Sequence, residues 1–320
     1  MLELFFEILR AAIWQKPLLW GDRPAPRPEE WNSLYEMAAR QTVQGVMFDI
    51  VRTLPATAGL PRALIANWLL AVDGIEREYS KMNSVVEYQQ RLWTGHGIDA
   101  ILLKGLSVSN MYPVPEHRMT GDVDWWIPGD DNWSRALGVV HDMGCDISPD
   151  SDGDIHYIYD GIVIEHHRKG FDAEGYAGQL LMLNEHILHH AVVTGVGVRH
   201  LCDMAVAYRY FAGRYETSDY VSALKSKHLV RWTMLLHALL TEYFKIPYGY
   251  LPEISDRIKV PDSDVHGLMG QILYDGNFGF AKKRRFSGIF RKSFFYMRYA
   301  PRYYMKRAAG LLFGRIFYRL

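Results

Sequence analysis

The chain has 320 residues, of which 49% are hydrophobic, so it can build one large or two modest domains with a packed core. Its two cysteines are too few for a disulfide framework or for a cysteine zinc site, and no uncharged apolar run reaches the ~18 residues of a membrane-spanning helix. The formal net charge of zero hides an asymmetry, because residues 276–320 contain twelve Lys or Arg and no Asp or Glu. We predict an acidic body, a basic tail, a reducing intracellular setting and no disulfide partner.

The N-terminal segment, residues 1–97, is predicted to be helical. It begins with MLELFFEILRAAIW, which contains Glu3 and Glu7 and lacks a basic start, so an amphipathic helix is predicted and a signal peptide is not. Helical spacing of apolar residues continues over 28–51 and over 61–93.

The middle of the chain, residues 98–175, is predicted to be a small α/β unit. Short apolar runs at 98–103 and 122–127 are typical of buried strands, and the segment 106–112 between them can form a short helix. Residues 154–169, DIHYIYDGIVIEHHRK, predict a β-hairpin because Asp-Gly is a strong two-residue turn signal.

The remainder of the chain is predicted to return to helix, as a C-terminal helical domain over 176–275 and a basic, aromatic helical tail over 276–320. The predicted fold class is therefore α+β, with a small mixed β-sheet core inserted between N-terminal and C-terminal helical regions.

Two aspartates, Asp122 and Asp124, stand one residue apart in the second predicted strand. Because side chains alternate across a strand, both lie on one face, and their mutual repulsion requires that this face be open to solvent or hold a cation. Carboxylates suit Mg²⁺, and a third one on a neighbouring strand would allow a two-metal site. Glu165 in the hairpin offers that carboxylate, and His167 shares its face. The alternative for a lone Asp-x-Asp is an exposed turn.

These residues carry a family resemblance. The residues that support it are Lys104-Gly105, Tyr112-Pro113, Arg118, Gly121-Asp122-Val123-Asp124, Glu165-x-His167, His189 or His190, and Arg199 with Asp203. In this set the chain resembles the nucleotidyltransferase superfamily that includes DNA polymerase beta. More narrowly, it resembles a bacterial family of uncharacterised nucleotidyltransferase-like proteins. The resemblance covers residues 98–210, and the Lys-Gly and Asp-x-Asp arrangement is also similar to toxin-type nucleotidyltransferases.

The resemblance implies a nucleotidyltransferase core and an enzyme that uses two Mg²⁺ ions. Its activity would move a nucleoside monophosphate from an NTP, with ATP as the first choice, to a hydroxyl acceptor and release pyrophosphate. The acceptor is left open as a small molecule, a protein or an RNA. The residues implied to be catalytic and to hold the metal are Asp122, Asp124 and Glu165, with Glu165 also the candidate base.

The resemblance also implies how the nucleotide is held. The residues implied to bind its phosphates are Lys104, Gly105, Ser107 and Arg118, although Leu106 stands where the superfamily usually has serine. Four further residues are implied to surround the metal and nucleotide ligands and to position them: His167, His190, Arg199 and Asp203. As alternatives, Arg199 and Asp203 are spaced for a surface ion pair, and His186 with His190 for a polar helix face, which we favour over a metal-binding pair.

Three interpretations of the basic tail stay open: a grip on nucleic acid, contact with an anionic membrane surface, or packing of its aromatic residues on the acidic body. We favour the third. The rival functions are a toxin-like transferase acting on tRNA, and a non-catalytic nucleotide-binding protein that the tail tethers to a membrane or nucleic acid. A cytoplasmic location is predicted, with the tail as a candidate for peripheral membrane attachment.

Overall fold

The structure, a computed structural model, describes residues 1–149, 153–168, 175–193, 195–254, 258–277 and 294–305. The chain divides into two compact units. The first comprises Met1–Ala39 and Val43–Asp172, and the second comprises Arg40–Thr42 and Ala173–Leu320. The domain boundaries predicted after residues 97, 175 and 275 stay predictions.

The first unit begins with helices that precede its sheet: α1 (Leu2–Trp14), α2 (Pro28–Arg40), α3 (Gln44–Val51) and α4 (Arg62–Gly95). The predicted amphipathic N-terminal helix is confirmed: α1 packs on α3, and its Phe5 and Ile8 side chains are fully buried. The helical pattern over 28–51 forms two helices, because Thr42 between them adopts a φ of +55°, which interrupts right-handed helix.

The sheet of this unit has the strands β1 (Ile101–Leu102), β2 (Asp122–Trp126), β3 (Ser148–Pro149), β4 (Ile155–Tyr159) and β5 (Ile162–His167). Their order in space is β1-β2-β5-β4-β3, and the β2–β5 pair is parallel while the other pairs are antiparallel. The helix α5 (Leu106–Ser109) lies between β1 and β2 in the chain, and α6 (Asp130–Asp142) follows β2. The mixed sheet among many helices confirms the predicted α+β class.

The two faces of the sheet differ in chemistry. Val123 and Trp125 of β2 and Ile164 of β5 are at most 1% exposed, and they belong to one apolar core with Trp93 of α4 and Val140 of α6. Side chains alternate along a strand, so the residues between them point to the opposite face. Burial of the apolar set therefore fixes which residues that opposite face presents.

The predicted hairpin is confirmed. Asp160 and Gly161 connect β4 to β5 with φ angles of +48° and +72°. Positive φ at both central residues is typical of the type I′ turn, whose twist matches that of two paired strands. This turn places Ile155 opposite His166 and Ile158 opposite Val163.

A polar network lies inside the apolar core. Trp125 Nε1 donates to Gln89 Oε1 at 2.7 Å, and Gln89 Nε2 donates to the Tyr157 hydroxyl at 2.9 Å. The Tyr157 hydroxyl lies 3.1 Å from His166 Nε2. Burial lowers the pKa of His166 to about 3, so the ring in this network is neutral. The network ties α4 to the three neighbouring strands β2, β5 and β4.

The second unit is helical, with α7 (Gly175–Val192), α8 (Val198–Phe211), α9 (Thr217–Ser226), α10 (Val230–Phe244) and α11 (Asp262–Asp275). The helix α8 is buried from Val198 to Tyr208, as expected for the central helix of a bundle. Three residues from the N-terminal part of the sequence, 40–42, complete this unit. The Gln41 side chain donates to the carbonyl oxygens of Ile272 and Leu273 at 3.1 and 3.2 Å and accepts from the backbone N–H of Val198 at 2.9 Å.

Part of the basic tail is described. Residues 294–299 and 301–305 are helical, with the break at Ala300, one residue before the break predicted at Pro301. Tyr296 and Tyr299 are buried, and Arg298 pairs with Asp264 at 2.8 Å. This piece matches the interpretation in which tail aromatic residues pack on the protein. The helix predicted for the rest of the tail lies outside the described residues.

Within the described ranges, no helix combines the length and the apolar character needed to cross a membrane. The predicted location and the predicted peripheral attachment stay predictions.

Candidate active site

The parallel pairing of β2 with β5 sets the geometry of the site. Asp124 lies opposite Glu165, and Trp126 lies opposite His167. The carboxylates of Asp124 and Glu165 therefore project side by side from neighbouring strands, on the face away from the apolar core. Asp122, two residues before Asp124, is half-buried on the same face.

Asp124 is at the centre of the site and has no exposed surface. Its Oδ1 is 3.1 Å from Lys104 Nζ and 2.9 Å from His167 Nε2. Its Oδ2 is also buried and has no hydrogen-bond partner among the described residues. A buried carboxylate oxygen without a partner is costly, so the oxygen is suited to a cation.

Charge at Asp124 and Lys104 is maintained by their pairing. Burial alone would raise the pKa of Asp124, but the Lys104 ammonium and the hydrogen bond from His167 outweigh it and lower that pKa. Burial alone would lower the pKa of Lys104, but Asp124, Asp122 and Glu165 together raise it. Both groups are therefore ionised at neutral pH.

Glu165 has the opposite electrostatics. Burial and the charge of Asp124 raise its pKa to about 7, although Lys104 works against the rise. The two carboxylates disfavour each other's ionised form, as expected for acidic groups that share one site. A bound cation would relieve this repulsion, so the electrostatics of the pair favour cation binding.

Asp154 is a residue of the site that sequence reasoning missed. Its Oδ2 lies 2.8 Å from His167 Nδ1, and its Oδ1 accepts the backbone N–H of Arg168 at 2.9 Å. Burial alone would lower the pKa of His167, but the hydrogen bonds to Asp124 and Asp154 raise it to about 9. A signal was present in the sequence, because continuing the hairpin register by one residue from Ile155 places Asp154 opposite His167.

The Lys104-Gly105 turn follows β1 and approaches β2 closely. Gly105 has a φ of +78°, and a Cβ at this position would lie 3.1 Å from the carbonyl oxygen of Asp122. Arg118, which is 5% exposed, donates from Nη1 to the Gly105 carbonyl at 3.1 Å. In this structure Arg118 therefore braces the turn that presents Lys104.

Position 106, where the superfamily usually has serine, is part of the apolar core in this chain. Leu106 is 3% exposed and belongs to the apolar core behind the sheet. The next residue, Ser107, donates its hydroxyl to the Leu103 carbonyl oxygen. The predicted nucleotide-binding roles of Lys104, Gly105, Ser107 and Arg118 stay predictions.

Three side chains of the site are close enough together to hold a metal ion. One ligand atom each from Asp124, Glu165 and His167 lies within 4.8 Å of the other two. Sequence reasoning grouped Asp122, Asp124 and Glu165 as ligands and placed His167 behind them. The structure thus brings the three predicted carboxylates to one face and sets His167 beside two of them.

The other predicted supporting residues, His190 on α7 and Arg199 and Asp203 on α8, lie in the second unit. Arg199 and Asp203 are 8% and 4% exposed, so they do not form the solvent-exposed pair that was the alternative for them. Their roles toward a nucleotide stay predictions.

Residues 27–179 match the model of a protein family described as uncharacterised nucleotidyltransferase. The match covers a little under half of the chain and includes the strands, Lys104 and Asp154. It supports a nucleotidyltransferase-like family and a general nucleotidyl-transfer activity. No curated protein and no solved structure is similar enough to this chain to be matched.

Proposed function

We propose that the chain transfers a nucleoside monophosphate from an NTP to a hydroxyl acceptor, with Mg²⁺ as cofactor and release of pyrophosphate. The observation that carries the proposal is the side-by-side position of Asp124 and Glu165 on parallel strands, with Asp124 Oδ2 buried and lacking a partner in the described chain. The family match supports the general reaction class.

The donor set fits the cofactor. Asp122, Asp124 and Glu165 offer the hard oxygen ligands that Mg²⁺ prefers, and Mg²⁺ is commonly held by one or two carboxylates together with substrate phosphates. Bound there, the ion would neutralise negative charge on the phosphate oxygens. DNA-polymerase-beta-like use of two ions remains part of the proposal.

The chain's own residues have separate tasks in this proposal. Glu165 accepts the proton of the acceptor hydroxyl as that oxygen forms a bond to the α-phosphorus. The bond from the α-phosphorus to the bridging oxygen breaks, and pyrophosphate leaves with its electron pair. Lys104 supplies positive charge for the phosphates, and Arg118 holds the turn that positions Lys104. Asp154 orients His167 so that its Nε2 faces Asp124.

The test uses the full chain with Mg²⁺, each of the four NTPs labelled on the α-phosphate, and fractionated cell extract. We expect one NTP, ATP first, to label one class of acceptor. Glu165→Gln should lower the rate by at least about 100-fold, because it removes both a metal ligand and the proton acceptor. Asp142→Asn, whose side chain is 84% exposed on α6, is the matched control and should retain activity.

The identity of the labelled molecule separates the remaining alternatives. Label on tRNA would favour the toxin-like transferase, and its dependence on salt would report phosphate contacts. Saturable NTP binding without label transfer or pyrophosphate release from any NTP would favour the non-catalytic alternative and contradict the proposal.

A further inference from the structure

A second group of convergent side chains lies in the helical unit. His186 and His190 are one turn apart on α7, and their ring centroids are 4.3 Å apart. His200, in the first turn of α8, has its ring 4.6 Å from that of His190 and 5.5 Å from that of His186. One nitrogen from each ring lies within 4.8 Å of the other two.

The local fold brings these rings together. The link between α7 and α8 is short, and α8 begins directly after Gly197. A Cβ at Gly197 would lie 3.0 Å from the Asn277 side chain, so the close approach of residue 277 favours a small residue here. His200 is 2% exposed, while His186 and His190 are half-buried. The cluster is therefore buried at His200 and reaches the protein surface at His186 and His190.

We propose that His186, His190 and His200 form a site for a divalent first-row transition metal such as zinc. An imidazole binds such a metal through one ring nitrogen, and the three rings each offer one nitrogen to the same small space. Imidazole nitrogen suits zinc, cobalt, nickel and copper, whereas Mg²⁺ prefers oxygen. This site is separate in chemistry from the carboxylate site of the first unit.

The spacing is compatible with coordination. Tetrahedral bonds of about 2.0–2.1 Å to nitrogen place the ligand atoms about 3.3 Å apart. The three nitrogens therefore have to close by at most about 1.5 Å, which side-chain rotation can supply. Three histidines leave a fourth position of a tetrahedral site for a water or an anion.

One contact makes metal uptake directly observable. The Gly197 backbone N–H donates to His200 Nδ1 at 3.2 Å, so a neutral His200 carries its proton on Nε2. Coordination through Nε2 moves this proton to Nδ1 and opens the Gly197 contact. Coordination through Nδ1 displaces the same contact. Either way, the signals of the Gly197 amide and of the His200 ring must change in nitrogen-15 NMR spectra.

The experiment uses tag-free full-length protein that carries Glu165→Gln and His167→Gln, which removes two convergent ligands from the carboxylate site. Chelator-treated protein is titrated with Co²⁺ and followed by visible absorption, and Zn²⁺ is then added as a competitor. We expect one Co²⁺ per chain with the intense absorption of a four-coordinate nitrogen site, and its displacement by Zn²⁺.

The variants His186→Ala and His190→Gln should weaken Co²⁺ binding by at least about tenfold each. His189→Ala, next to His190 but outside the cluster, is the matched control and should bind as the parent does. Circular dichroism checks that each variant is folded, and the glutamine variant keeps a polar side chain at position 190. The proposal is overturned if the folded variants and the parent bind Co²⁺ equally, or if the Gly197 amide does not respond.

Discussion

Lys104 and Asp124 form an ion pair inside the candidate active site, with 3.1 Å between Nζ of the lysine and Oδ1 of the aspartate. The aspartate side chain is fully buried and the lysine side chain is 19% exposed. His167 contacts the same oxygen at 2.9 Å. One carboxylate oxygen therefore contacts two basic side chains, and we expect removal of its charge to lower stability.

Asp124→Asn is expected to destabilise the protein by about 3 kcal/mol, because the largely buried Lys104 ammonium loses the carboxylate that it contacts directly. The measurement is the free energy of unfolding from urea titration, followed by a probe in the first unit such as the fluorescence of its buried tryptophans.

The double variant Asp124→Asn with Lys104→Met should recover part of this loss, since it removes both charges of the ion pair. Asp142→Asn should change stability by less than about 0.5 kcal/mol, as expected for an exposed carboxylate. A single Asp124→Asn variant as stable as the parent would contradict the ion-pair account.

Gly105→Ala is expected to lose at least about 1 kcal/mol of stability. The residue has a φ of +78°, which disfavours any side chain, and the added Cβ would press on the Asp122 carbonyl. Gly138→Ala on α6 is the control, because its Cβ meets no atom within 4 Å and alanine is the better helix former by roughly 1 kcal/mol. Thermal unfolding of both variants should show opposite signs, and a shift in the same direction would contradict the assigned turn geometry.

His117 is expected to make the stability of the first unit depend on pH. Burial alone would lower the pKa of His117, but its hydrogen bonds to Asp49 and Glu76, each 2.8 Å, raise it above the ordinary 6.5. The folded state therefore favours the protonated ring. This contribution is complete below pH 6.5 and is lost as the pH rises through the raised pKa.

The measurement compares the parent with His117→Asn in urea at pH 6 and at pH 9. The stability difference between the two proteins should be larger at pH 6. His141→Asn, which alters an 86% exposed ring, is the matched control for the substitution itself. A difference that grows with pH would mean that the neutral ring is the favoured form.

Tyr157→Phe is expected to cost about 1–3 kcal/mol, because the lost hydroxyl leaves Gln89 Nε2 and His166 Nε2 buried without this partner. Tyr248→Phe removes a hydroxyl from a residue that is 82% exposed and should be close to neutral. Urea unfolding measures both. Equal stability of the two variants would show that the network contributes little.

Residues close in sequence allowed much of the site to be predicted. Asp122 and Asp124 are two residues apart, and so are Glu165 and His167. This spacing predicts that each pair shares one face of its strand. The turn at 160–161 predicts the hairpin that holds the second pair. These conclusions rest on strand periodicity and turn chemistry, which local sequence determines.

Relationships across the fold could not be predicted in the same way. The position of Lys104 against Asp124 depends on β1 pairing with β2, and the sequence predicts both strands without showing that they are neighbours. Asp154 can be placed opposite His167 only by extending the hairpin register one residue beyond the paired strands. His200 joins His186 and His190 through the packing of two helices, which no spacing in the sequence reveals.

The position of Gln41 in the sequence affects when the helical unit can finish folding during synthesis. Arg40–Thr42 belong to the second unit, yet they leave the ribosome before the sheet of the first unit does. The partners of Gln41 near Val198 and Ile272 emerge much later. The helical unit is therefore complete only when both Arg40–Thr42 and the segment from Ala173 onward have been synthesised. A fragment that starts at Ala173 lacks the Gln41 amide that joins α8 to α11.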